Sequence, residues 1–191
     1  MNTVQDPRPL FERAAGQTAS LISDVRPEQL DLPTPCPGFD IRHLVGHLVE
    51  GVNRLAGIGE SIPAEPFAER EARVPDGEWA REFAAAQARY RLAWADDTLL
   101  DSPVTMPRAA SGRETVAGYV MELTAHDWDL ARALDDPRPL DSELAEYALA
   151  VALRTVPEDH RGGVWPFGPP RPAPEEADSY QRLAAWLGRP V

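Results

Sequence analysis

Apolar residues recur along this chain at helical rather than strand spacing, in segments separated by proline-rich breaks. Residues Pro7–Val25 carry Leu10, Phe11, Ala14, Ala15, Ala19, Leu21 and Ile22 at helical intervals. The stretch Asp31–Phe39 then interrupts the pattern with Pro33, Pro35, Pro37 and Gly38. Asp40 reads as an N-cap, because its carboxylate can accept from the free amides of a first turn. The helix it opens runs through Ile41, Leu44, Val45, Leu48, Val49, Val52 and Leu55.

A Pro-rich acidic connection, Ile62–Asp76, leads to a long predicted helix over Gly77–Leu100, with Trp79, Phe83, Ala86, Tyr90 and Trp94 on one side. A loop over Asp101–Ala110 follows. Ser111 and Glu114 fit a capping box, Ser at N-cap and Glu at N3. They launch a helix bearing Val116, Tyr119, Val120, Leu123, His126, Trp128, Leu130 and Leu134, which Asp136-Pro137 ends. A further helix covers Asp141–Val156. His160–Pro174 is Gly/Pro-rich, with Trp165 and Phe167, and a short helix over Glu175–Leu187 closes at Gly188.

Four long amphipathic helices with little β signal and no repeat predict an all-α protein: a four-helix bundle with additional short C-terminal helices beside it. A length of 191 residues suits one domain spanning 1–191.

Composition narrows the function. Apolar residues make up 43% and charged residues 26%, as in an ordinary globular protein. Apolar runs fall far short of the ~20 residues that span a bilayer, so no membrane partner is expected. The start, MNTVQDPRPLFERAAG, lacks the basic and apolar regions of a signal peptide, and one cysteine forms no internal disulfide. A cytoplasmic location is the expectation. A formal charge of −12 without a basic stripe argues against nucleic acid. All 19 basic residues are arginine, which excludes Schiff-base chemistry and a phosphate-loop lysine.

The candidate chemistry lies on two of the helices. Glu122 and His126 stand one turn apart, as do His43 and His47. Side chains at i and i+4 project from one face, with Cβ atoms about 5–6 Å apart. Both can reach one ion at bonds of about 2.0–2.2 Å for zinc. His47, Glu122 and His126 therefore form a candidate metal site, with at least one position left for water or substrate. The competing reading of His47 is a hydrogen-bonded core histidine. Glu122, in an apolar stretch, needs a cation or donors, because a buried carboxylate without a partner is costly. His43, only three residues into its helix, reads as a surface or channel-mouth residue, and His160 as an exposed loop histidine.

Asp129, seven residues after Glu122, either orients a ligand histidine through its second ring nitrogen or is a solvated acid or a partner of Arg132 or Arg113. Asp127 is expected in solvent, and Trp94 and Trp128 in the core. Cys36 is a thiolate of the right type for zinc. But His47 lies seven residues beyond Asp40, about 10 Å along the axis, and the loop would have to fold back to bring Cys36 to it. A thiol packing within the loop is the expectation.

Thr34-Pro-Cys-Pro-Gly-Phe-Asp40 with Leu44-Val-Gly-His47-Leu48, and Glu122-Leu-Thr-Ala-His126-Asp-Trp-Asp-Leu-Ala131, resemble two motifs of the DinB/mycothiol-dependent maleylpyruvate isomerase N-terminal superfamily. Phe167-Gly-Pro169 and Tyr180–Arg189 resemble the closing signature of its short, single-domain metal-binding branch. The resemblance implies an up-down-down-up bundle binding zinc, with nickel as an alternative, through His47, Glu122 and His126. It also implies mycothiol as co-substrate. Members with a separate C-terminal domain are the isomerases, and this chain stops where that domain would begin.

Two function classes follow. One is a metal-dependent thiol transferase or isomerase acting on a small-molecule thiol and an electrophile, as monomer or homodimer. The alternatives are a metal-dependent hydrolase and a non-catalytic metal-binding or interaction protein. An open coordination position beneath a cleft marks the enzyme; a sealed fourth ligand marks a structural site.

Overall fold

The computed structural model describes residues 6–62, 74–104, 110–156, 158, 161 and 167–191. Among them are six α-helices: α1 Arg8–Ser23, α2 Ile41–Gly59, α3 Trp79–Ala93, α4 Gly112–Ala133, α5 Ser142–Thr155 and α6 Ser179–Trp186. Four of them start at side chains suited to the task. Asp40 accepts from the His43 amide at 2.8 Å. Ser111 and Glu114 form the reciprocal capping box at α4. Asp141 accepts from the amides of Glu143 and Leu144, and Asp178 and Gln181 form a second box at α6. Each such cap contributes about 1 kcal/mol.

Three boundaries depart from the pattern reading. The helix expected over Gly77–Leu100 ends at Ala93, because Asp96 accepts from the Thr98 amide at 2.9 Å and starts a separate 3-10 turn, Asp97–Leu100. The last helix begins at Ser179 rather than Glu175, where the Asp178 box sits. The expected loop Asp101–Ala110 contributes to a small antiparallel pair, β1 Pro103–Val104 and β2 Ala110–Ser111. Most of the Ile62–Asp76 connection, together with His160 and Trp165, lies outside the described residues.

Contacts along the helices fix their directions. Arg42 near the start of α2 pairs with Asp76 just before α3, while Trp94 just past α3 donates to the Leu55 carbonyl at 2.8 Å, so α2 and α3 are parallel. Arg91 pairs with Glu12 at 2.7 Å and Arg8 with Asp97 at 2.5 Å, which sets α1 antiparallel to α3. Thr18 meets Asp127, and Ser20 meets Arg138 farther on, so α1 and α4 run together. His47 faces Glu122 and Gly51 faces Tyr119, so α2 and α4 are antiparallel. The result is an up-down-down-up bundle, with the crossover between α2 and α3.

Phe11, Leu44, Leu48, Val52, Phe83, Val120 and Leu123 fill its centre. Each fully buried leucine there contributes about 1.5–3 kcal/mol. Helices α5 and α6 pack on the outer side of α4, where Ala117, Met121 and Ala125 meet Val151, Leu183 and Leu187. Helix α4 is therefore covered on both sides, and Trp128 is core, as is Trp94. Gly112 starts α4 where no other residue fits: a Cβ there would stand 2.0 Å from the Leu99 carbonyl oxygen and 3.0 Å from the Trp94 ring. No helix among the described residues is long and apolar enough to cross a membrane.

Candidate metal centre

Antiparallel α2 and α4 bring His47, Glu122 and His126 face to face. His47 Nε2 lies 3.0 Å and His126 Nε2 3.4 Å from the same oxygen, Glu122 Oε1. The two imidazole centroids are 4.9 Å apart with planes at 78°, and each ring turns its Nε2 toward that shared oxygen. One donor atom from each of the three residues falls within 4.8 Å of the other two. A tetrahedral site with bonds of 2.0–2.1 Å has an edge of about 3.3 Å, close to the two nitrogen–oxygen separations. The donor set therefore fits a small divalent cation. The Glu122 and His47 side chains remain 29% and 19% exposed, so the cluster is not sealed from solvent.

The far side of His126 is closed by charge. His126 Nδ1 donates to Asp129 Oδ2 at 2.9 Å, which leaves Nε2 directed at Glu122. Asp129 is fully buried and bonds neither Arg132 nor Arg113; its cationic partner is Arg189, whose Nη2 donates to it at 2.9 Å. Arg113 instead pairs with Asp101. Nothing in the chain's spacing pointed to Arg189, which comes from the far end of the sequence.

Burial works to raise the Glu122 carboxyl, but hydrogen bonds from His126 and His47 outweigh it and hold the group well below the usual range. Burial likewise works against the charged form of His126, yet its bonds to Asp129 and Glu122 raise it to about 9. For Asp129, burial is outweighed by His126 and Arg189, and the carboxyl is lowered.

Two expectations fail here. Asp127 is not solvated: it is fully buried, accepting from Thr18 Oγ1 at 2.7 Å and Gln17 Nε2 at 2.8 Å. Helix α1 covers that face of α4, which the local sequence could not reveal. Burial pushes the Asp127 carboxyl up to about 7, against the partial relief of those two donors. Nor does the loop keep Cys36 away. Ile41 and Arg42 amides bond the Leu32 and Leu30 carbonyls, and Thr34 bonds Phe39, so the loop doubles back over the start of α2. The axial measure treated the loop as a continuation of the helix. Cys36 Sγ thus reaches the Asp129 side of His126 and lies 3.6 Å from Arg189 Nη2. Burial raises its thiol to about 11, offset in part by Arg189.

The same loop places Phe39 with its ring centroid 5.6 Å from that of His47 and 6.5 Å from that of His126. His43 is exposed and tied to Asp40 through Nδ1 at 2.7 Å, outside the three-residue cluster. A cleft lined by Trp128, Leu140, Ser142 and Tyr180 includes none of the three.

Two uncharacterized proteins of Mycobacterium tuberculosis, from strains H37Rv and CDC 1551 / Oshkosh, are each 34% identical to the chain over 187 residues, covering 97% of it and 99% of the relative. No solved structure matches the chain. The profile of the mycothiol maleylpyruvate isomerase N-terminal domain matches residues 11–131, which include His47, Glu122 and His126. With its helical bundle of DinB-like type, the chain belongs to that family.

Proposed function

We propose that this protein holds a divalent cation, zinc first and nickel as the alternative, through His47, Glu122 and His126, and acts in the cytoplasm as a thiol-dependent transferase or isomerase. The observation that carries the reading is the convergence of two imidazole Nε2 atoms on one carboxylate oxygen, 3.0 and 3.4 Å away, in an accessible cluster. Charge supports it. Glu122 and Asp129 bring two carboxylates to the centre, where Arg189 supplies one fixed positive charge and the raised His126 holds a proton that a bound cation can replace. Unbalanced charge is costly away from water, so the two carboxylates favour a cation in that place.

A cation bound there supplies Lewis acidity, lowering the pKa of a thiol or water that reaches it. The chain's own residues do the rest. Asp129 fixes the ring of His126, Glu122 bridges the two helices, and Phe39 shields both imidazoles from bulk water. The family's description supports a low-molecular-weight thiol, mycothiol, as co-substrate. The one cysteine, Cys36, packs against Arg189 on the Asp129 side of His126, away from Glu122 and His47, so an incoming small molecule supplies the reacting sulfur. The two relatives add no substrate of their own.

Metal analysis of the purified protein, followed by melting with added zinc, tests the first step. At a hundredfold excess over Kd, zinc stabilises the wild type by about 2.7 kcal/mol, or about 5–10 °C. His47→Ala should not respond. Equal, unmoved melting of both proteins refutes ligation. Mycothiol added to the zinc-loaded protein with maleylpyruvate and other electrophiles tests the second step. A zinc-loaded protein that ignores every thiol refutes the transferase or isomerase reading.

A further inference from the structure

The closing motifs of the chain, Phe167-Gly-Pro169 and Leu187-Gly-Arg189, lie outside the matched family segment and supply none of the three cluster ligands. The structure brings them together. Gly188 ends α6 with φ +86°, a left-handed conformation that favours glycine. Its bare Cα face abuts Gly168, where a Cβ on Gly188 would stand 2.9 Å from the Gly168 Cα. The Arg189 amide bonds back to the Ala184 carbonyl at 2.9 Å, completing the turn. That turn sends the Arg189 side chain inward, where it is 3% exposed.

There the guanidinium grips Asp129 with two nitrogens: Nε at 3.2 Å from both carboxylate oxygens and Nη2 at 2.9 Å from Oδ2. Nη1 donates to the Leu187 carbonyl at 3.2 Å, and Nη2 also faces Cys36 Sγ. A fork of this kind fixes the plane of a carboxylate as a single-point ammonium cannot. The same Oδ2 receives His126 Nδ1.

We propose that Arg189 is a positioning residue of the cation site: it clamps Asp129, and Asp129 in turn holds His126 with Nδ1 protonated and Nε2 facing Glu122 and His47. The Gly168–Gly188 contact is the device that delivers it. The part concerning cation affinity rests on the function proposed above; the part concerning the His126 ring does not. Carboxylates that orient ligand histidines commonly matter 10–100-fold for metal affinity, and Arg189 acts one step farther out.

The test uses the full chain as wild type, Arg189→Met, Arg189→Gln and Arg171→Met. Arg171 ties the same segment, through Nε to the Gly188 carbonyl at 2.9 Å, without touching Asp129. Zinc affinity is read by competition with a chromogenic chelator, and the His126 Nδ1–H bond to Asp129 by proton and nitrogen NMR of the metal-free protein. Arg189→Met should weaken zinc about 10-fold or more and shift or broaden the hydrogen-bonded Nδ1–H signal of His126. Arg171→Met should lower the melting temperature yet keep wild-type zinc affinity and the His126 spectrum.

Wild-type zinc affinity together with an unchanged His126 spectrum in either folded Arg189 variant overturns the inference. So does an equal loss in Arg171→Met, which would mark mere loosening of the chain end. If Arg189→Met does not fold, Arg189→Gln, which keeps donors but not charge, decides by the same two readings. A wild type that binds no zinc sinks the proposed function instead, and the His126 spectra still judge the clamp.

Discussion

Asp127 and Asp129 sit two residues apart on α4, both without solvent exposure, and their surroundings drive them in opposite directions. Asp129 faces Arg189 and His126, and burial is overcome, so its carboxyl is lowered. Asp127 faces the neutral donors of Thr18 and Gln17 on α1, and burial wins, raising it to about 7. Depth is the same; the charge of the partner differs. One side of α4 is therefore built to hold charge, and the other to hold a hydrogen-bonded network that tolerates a neutral acid.

The largest test of this contrast is Asp129→Ala, which strands Arg189 in the interior. A loss of about 3–5 kcal/mol in denaturant unfolding is expected; a loss below 1 kcal/mol would erase the distinction between the two sides. Next is Glu122→Gln, which keeps shape and removes charge. Zinc affinity should fall by about 100-fold, equivalent to about 2.7 kcal/mol, while Asp127→Asn leaves zinc binding within about twofold.

Asp127→Asn sharpens the comparison through pH. A carboxyl raised from 3.8 to about 7 on folding favours the neutral fold, so the wild type loses stability as pH climbs through that window and then levels off. Asparagine has no such loss. Its amide can donate to Thr18 Oγ1 while that hydroxyl donates to the Ala14 carbonyl, 3.0 Å away. The variant's advantage over wild type should grow by about 2 kcal/mol between pH 5.5 and pH 8. A difference that stays flat across that range would contradict the assignment. The smallest effect is Thr18→Val, which removes one donor: about 1 kcal/mol by chemical denaturation at pH 5.

Local signals carried much of this. Asp40, Ser111 and Glu114 could be read as caps because capping acts within four residues. His47, Glu122 and His126 could be read as one cluster because i,i+4 spacing fixes a shared face, and the inward stripe of α2 supplies the partner. Asp129, seven residues after Glu122 on the same face, left ring orientation and a solvated or Arg-paired acid as equal readings until the fold placed it beside His126. What stayed hidden depends on chain crossings. Asp127 looks like a surface acid until α1 covers it. Arg189 lies 60 residues from Asp129 and meets it only through the turn at Gly188. Cys36 reaches His126 because loop hydrogen bonds reverse the chain, which axial rise does not describe.

Gly112 has a consequence for Glu122, although the two are ten residues apart. Its contact with the Leu99 carbonyl and the Trp94 ring pins one end of a rod, and Trp94 is itself tied to Leu55 on α2. Ten residues of helix make a lever of about 15 Å, on which a tilt of about 4° would move a donor atom by about 1 Å. The two arms that carry the donors thus share a pivot remote from the chemistry, and a methyl group added there would be felt as misalignment at the opposite end.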